Sequence, residues 1–120
     1  MSSIMVADDS WTTRLIIVKM LQNQGHHIIE AENGTDVIEK IKEHEIDCLV
    51  LDLLMPDKDG FEVLAVLKEN GYKIPVIVLS ADLQETSKQE CLNLGAVDFL
   101  HKPLREDELL QCVRRAIDPK

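Results

Sequence analysis

Basic residues are scarce in this chain. Its 120 residues hold 13 Lys and Arg against 22 Asp and Glu, a formal net charge of -9. Nucleic acid and anionic lipid are held by clustered cations, so direct binding to nucleic acid or to a membrane is not expected. Long apolar runs are missing as well. None approaches the ~20 residues of a membrane span, and the N-terminus lacks a basic-plus-apolar signal pattern. Cysteine is limited to Cys48, Cys91 and Cys112, with no Cys-x-x-Cys and no Cys/His cluster. That argues against zinc and for small buried thiols in a reducing compartment, so a cytoplasmic location is expected. There is no glycine-rich loop to cradle a phosphate, and no linker, repeat or low-complexity segment.

What is present is a core. Hydrophobic residues make up 45% of the chain, enough for one compact domain and too few residues for two. Short apolar runs alternate with longer helical patterns five times. The strand candidates are Ile4–Ala7, Ile28–Ala31, Cys48–Asp52, Val76–Ser80 and Val97–Leu100. Their near-continuous apolar character suits strands covered on both faces. The helix candidates run over 11–24, 35–44, 60–70, 85–94 and 105–117. Ser10 can cap the first, and Gly25, Gly71 and Gly95 each follow a helix, where a left-handed C-cap favours glycine. Val37, Ile38 and Ile41 mark an inward face on the second helix, as Leu109, Val113 and Ile117 do on the fifth. The pattern reads as an α/β, doubly wound (βα)5 unit with a parallel five-stranded sheet and right-handed crossovers. Residues 1–120 are expected to be a single domain, with no output domain after the last helix.

Such sheets bind ligands beyond the carboxyl ends of their strands. Asp8, Asp9, Asp52, Ser80 and Lys102 all lie at or just past a predicted strand end. Parallel neighbours finish at one edge, so the three carboxylates crowd together. Their mutual repulsion is roughly 4 kcal/mol per pair at about 4 Å and an effective dielectric near 20. A divalent cation is the simplest way to offset it. Singly, Asp8 is an ordinary capping carboxylate, Ser80 a turn hydroxyl and Lys102 a solvated amine; their joint placement is what marks a site.

These residues resemble a family. Asp8-Asp9, the segment Asp52-x-x-Met55-Pro56-x-x-Asp59-Gly60, Ser80-Ala81, Gly95-Ala96 and Lys102-Pro103 occur in the order and spacing of the CheY-like receiver domain of two-component response regulators. The resemblance covers essentially the whole chain and implies a flavodoxin-like strand order 2-1-3-4-5. It implies that Asp52 is the phosphoacceptor, accepting a phosphoryl group from a sensor histidine kinase or a histidine phosphotransfer protein. Asp9 would ligate Mg2+ directly and Asp8 mainly through water, with Asp52 and the backbone carbonyl of Leu54 completing the protein's share. Ser80 and Lys102 would hold phosphoryl oxygens, Phe99 would be the aromatic switch residue, and Lys102-Pro103 a cis peptide. The protein would then not be an enzyme in the usual sense, although it would catalyse its own phosphoryl transfer and autodephosphorylation. Its downstream effector is a protein the sequence does not name.

Three positions depart from the family's habits. Leu54 carries no polar side chain, Asp82 is acidic, and Leu104 follows Lys-Pro where many relatives have Phe. The expected switch moves Ser80 toward the phosphoryl group and turns Phe99 inward, changing the face of the fourth helix, fifth strand and fifth helix. Gln84–Glu90 is almost wholly polar, leaving Cys91, Leu92 and Leu94 as anchors, which suits a low-stability switch segment. Asp98, Glu108, Arg114 and Arg115 offer both signs of charge for a homodimer through that face. Trp11, the only tryptophan, is placed near the acidic pocket, with a partly exposed helix-start position as the alternative.

Competing readings fit less well. An FMN carrier needs a phosphate-cradling first loop, which Asp8-Asp9 would repel. An aspartyl phosphohydrolase usually has a second Asp where Leu54 stands. An EF-hand fails because Met55 and Val66 occupy its first and last ligand positions. A phosphorylation-independent pseudo-receiver is the serious alternative, and the complete acid, hydroxyl and lysine set argues against it.

Overall fold

The three central strands form where apolar runs are buried on two sides at once. In the computed structural model, which describes residues 2–81 and 85–118, the elements alternate without exception. They are β1 (Ser3–Ala7), α1 (Trp11–Gln22), β2 (His27–Ala31), α2 (Gly34–Glu43), β3 (Cys48–Asp52), α3 (Gly60–Glu69), β4 (Val76–Ser80), α4 (Glu85–Asn93), β5 (Asp98–His101) and α5 (Glu106–Ile117). The five strands lie in the order β2-β1-β3-β4-β5, with every neighbouring pair parallel. Asp82, Gln84, Pro119 and Lys120 lie outside the described residues.

Alternation along each strand divides the core in two. Met5, Leu49, Leu51, Val76, Val78 and Phe99 pack on one face with Val37, Ile41, Val63, Leu64 and Cys91. Ile4, Val6, Cys48, Val50, Ile77, Leu79 and Leu100 pack on the other with Ile17, Val18, Leu21, Leu109 and Val113. All three cysteines are free and buried. Burial raises the Cys48 thiol to about 12, with the Asp47 carboxylate adding to the effect.

Several helices end sooner than their sequence patterns suggest, for one reason. At Gly25, Gly71 and Gly95 the backbone turns left-handed, with φ of 85°, 74° and 105°. The amide after each glycine reaches back five residues: His26 to Leu21 at 3.4 Å, Tyr72 to Leu67 at 3.0 Å and Ala96 to Cys91 at 3.0 Å. These paired bonds close the last turn before the glycine and trim α1 to Gln22, α3 to Glu69 and α4 to Asn93. The same turn delays the fifth strand, which runs Asp98–His101 and leaves Val97 largely exposed. Ser10 caps α1 as expected, its hydroxyl accepting from the Thr13 amide.

The chain order sends β2 to one side of β1 and β3 to the other. The loops after β1 and β3 therefore part company, and a crevice opens at the carboxyl ends of these two strands.

Candidate functional site

Register brings the acids together. Ala7 is paired with Leu51, so Asp8 comes level with Asp52 one residue further on. Both continue the parity of Val6 and Val50 and so point to the α1/α5 side of the sheet. Asp8, Asp9 and Asp52 each offer a carboxylate oxygen within 4.8 Å of the others. Asp8 is fully buried and Asp52 5% exposed, while Asp9 faces solvent. Lys102 reaches in from just beyond β5, its Nζ 3.2 Å from Asp52 Oδ1 and 3.5 Å from Asp8 Oδ2. The Lys102-Pro103 peptide is cis. Ser80, 1% exposed, closes β4 beside Asp52, its neighbour Leu79 being Asp52's register partner.

The electrostatics follow. Burial pushes Asp52 up to about 6, Asp8 pushes further in the same direction, and Lys102 pulls back without cancelling them. Asp8 is held at almost every polar atom. Its amide donates to Ala31 O at 3.1 Å, and its Oδ1 accepts from the Ser10 amide at 2.9 Å. Its Oδ2 is buried and accepts no hydrogen bond, facing Lys102 at ion-pair distance only. Three hard oxygen donors, one of them with an unused buried lone pair, suit a small divalent cation. The donor set fits Mg2+.

Around this centre the other expected residues fall into place or do not. Leu54 follows Asp52 in the loop, its side chain 67% exposed and turned out to solvent. Trp11 is 65% exposed at the first position of α1, so the alternative of an exposed helix-start residue is the correct one. Phe99 is 7% exposed and packs in the same core cluster as Cys91 of α4, its ring centroid 5.4 Å from that of His101 with the two planes at 73°. The parity of β5 places Phe99 on the core face of the sheet in this arrangement. In α4 Cys91 is fully buried, Leu94 after it packs against the core, and Leu92 is 36% exposed. On the fifth strand and helix, Asp98 and Arg115 pair with each other at 2.9 Å, so the charges offered for a homodimer are in part engaged within the chain.

Arg14 is a site neighbour that the sequence reading missed. Its guanidinium donates to the Asp8 carbonyl at 2.5 Å and to Glu30 at 2.9 Å. The one available signal was weak. A cation in the opening turns of a helix opposes the helix dipole, and such a residue usually has another partner.

The fold is a doubly wound parallel α/β domain with an acidic crevice at its switch point, a half-buried lysine and a buried hydroxyl, a set of groups suited to a cation and a phosphate. The sequence narrows this class. The chain belongs to the response regulator receiver domain family, whose model matches residues 4–114, and is a CheY-like domain of two-component signalling. It is 44% identical over 101 residues to response regulator RR06 of Streptococcus pneumoniae, covering 84% of this chain and 46% of RR06. It is 32% identical over 116 residues to the chemotaxis protein CheY of Bacillus subtilis, covering 96% of this chain and 97% of that protein. The chain thus spans about half of RR06 and nearly all of the Bacillus protein. Among solved structures, the CheX-CheY-BeF3-Mg2+ complex of Borrelia burgdorferi matches with a TM-score of 0.90 and 33% identity, over 94% of this chain and 87% of that one. Among the described residues no helix is long and apolar enough to cross a membrane.

Proposed function

We propose that the domain is a phosphorylation-dependent switch in which Asp52 accepts a phosphoryl group with the help of Mg2+. The observation that carries this reading is the convergence of the Asp8, Asp9 and Asp52 carboxylates within 4.8 Å with Lys102 Nζ 3.2 Å from Asp52. The similarity to a Borrelia protein captured with Mg2+ and a beryllofluoride group supports it.

One carboxylate oxygen of Asp52 attacks the phosphorus of a phosphohistidine donor. The new bond is O–P, the P–N bond to the imidazole breaks, and the imidazole takes up a proton. With its pKa near 6, Asp52 is mostly ionised at neutral pH and so competent as a nucleophile. Lys102 exchanges its present carboxylate partners for a phosphoryl oxygen, carrying positive charge to where negative charge arrives. Ser80 offers a hydroxyl to a second oxygen from the end of β4. Asp8, Asp9, Asp52 and the Leu54 carbonyl would hold the Mg2+, which when bound supplies charge neutralisation for the transferring group. Leu54, two residues after Asp52, offers no side-chain polar group to orient a water that would attack the acyl phosphate. The only catalysis is then of its own phosphorylation and dephosphorylation.

The phosphodonor is a sensor histidine kinase or a histidine phosphotransfer protein, and the output is a changed surface over α4, β5 and α5 for an effector protein. Fluoride NMR with beryllium, fluoride and Mg2+ tests the reading. A bound beryllofluoride signal that vanishes in Asp52→Asn is expected. Absence of that signal in the wild type, despite demonstrated folding, would favour a phosphorylation-independent interaction module.

A further inference from the structure

Asp8 is immobilised from outside the acidic pocket. Its amide is tied to Ala31 O, and its Oδ1 to the Ser10 amide. Its carbonyl oxygen accepts from Arg14 Nη1 at 2.5 Å. The Arg14 side chain is 11% exposed, and its Nε donates at 2.9 Å to Glu30 Oε1, whose side chain is half exposed. Glu30 is itself anchored. Its carbonyl accepts from Lys40 Nζ at 2.5 Å, and Lys40 pairs with Asp36 at 3.2 Å. The planar guanidinium spans both acceptors at once, which an ammonium cannot do in the same geometry.

We infer that Arg14, oriented by Glu30, is the positioning residue of the cation site. It fixes the turn that carries Asp8 and Asp9, so that their oxygens meet Asp52 without a rearrangement when metal arrives. This rests on the reading of Asp8, Asp9 and Asp52 as a divalent-cation site. Outer partners that orient metal ligands are commonly worth about 10- to 100-fold in metal affinity. Arg14 touches neither the reacting atoms nor the ligand oxygens, so its effect belongs in affinity rather than in the chemical step.

Charge and geometry predict opposite signs here, which makes the inference sharp. Removing a cation beside three carboxylates would by itself tighten cation binding. Loss of positioning weakens it. The experiment is calorimetric titration of the whole chain with Mn2+, alongside the rate of acetyl phosphate turnover as Mn2+ is varied. Arg14→Gln is expected to weaken Mn2+ binding about 10-fold. Arg14→Lys and Glu30→Asp, which conserve charge and change only reach, are expected to weaken it several-fold. In each the loss should show as a higher Mn2+ requirement, with the rate recovering at saturating metal. Binding as tight as wild type or tighter in Arg14→Gln would overturn the inference. Should that variant not fold, unchanged affinity in both Arg14→Lys and Glu30→Asp overturns it equally. Wild type that binds no Mn2+ would instead bring down the cation-site reading, and this inference with it.

Discussion

Asp52 should weaken the metal-free fold at neutral pH, and Asp52→Asn should relieve that cost. The folded-state pKa is raised from 3.8 to about 6, chiefly by burial and then by Asp8. A raised carboxyl pKa means that the folded chain holds the proton more tightly than the unfolded chain. The associated stability is complete below about pH 4 and is lost as pH rises through about 6. Two units at ~1.4 kcal/mol each set an upper bound near 3 kcal/mol. The pocket opens to solvent on the side of Asp9, so screening brings the expected effect to about 1–2 kcal/mol. For a chain of this size that corresponds to roughly 4–8 °C in melting temperature. The assay is thermal unfolding in EDTA from pH 4 to pH 8, wild type against Asp52→Asn. The variant should be the more stable at pH 8, and the difference should shrink toward zero at pH 4. An Asp52→Asn protein no more stable than wild type at pH 8, or a difference independent of pH, would refute the reasoning.

Other outcomes follow from the same geometry. Mg2+ should raise the melting temperature of wild type and lower the Asp52 pKa, and Asp9→Asn should remove most of both effects, read by melts and by carboxylate NMR titration. Lys102→Met should push the Asp52 pKa above its present value of about 6, because the cation pulling it down is gone; the same titration reads it. Gly34→Ala should destabilise by about 1–3 kcal/mol in urea unfolding, since a Cβ there would run into the backbone oxygen of Lys58. Hydrogen exchange in α4 should speed up or slow down on beryllofluoride binding. Unchanged protection throughout Glu85–Asn93 would remove that helix from the switch.

Much of this was written in the strand ends. Asp52 closes an apolar run and Asp8 follows another, and parallel pairing converts those two local facts into one pocket. Burial on both sheet faces was equally legible, because β1, β3 and β4 have no polar residue at alternating positions. Side-chain direction was harder to read. Trp11 sits two residues past Asp9, yet the first turn of α1 swings its indole to solvent. Phe99 and His101 share a parity, but only Phe99 packs in the core cluster with Cys91 of α4. Arg14 shows the larger gap. Its partners are the carbonyl of Asp8 and the side chain of Glu30, 16 residues away, and neither composition nor periodicity records a side chain's bond to a particular carbonyl or to a residue on another element.

The central claim is that Asp52 takes the phosphoryl group in a Mg2+-dependent reaction. Incubation with acetyl phosphate, followed by intact mass measurement and peptide mapping of the trapped adduct, tests it most directly. The account predicts a single phosphoryl adduct on the peptide containing Asp52, absent in EDTA and absent in Asp52→Asn. An adduct that persists in Asp52→Asn, or wild type that gains none with Mg2+ present, would contradict it.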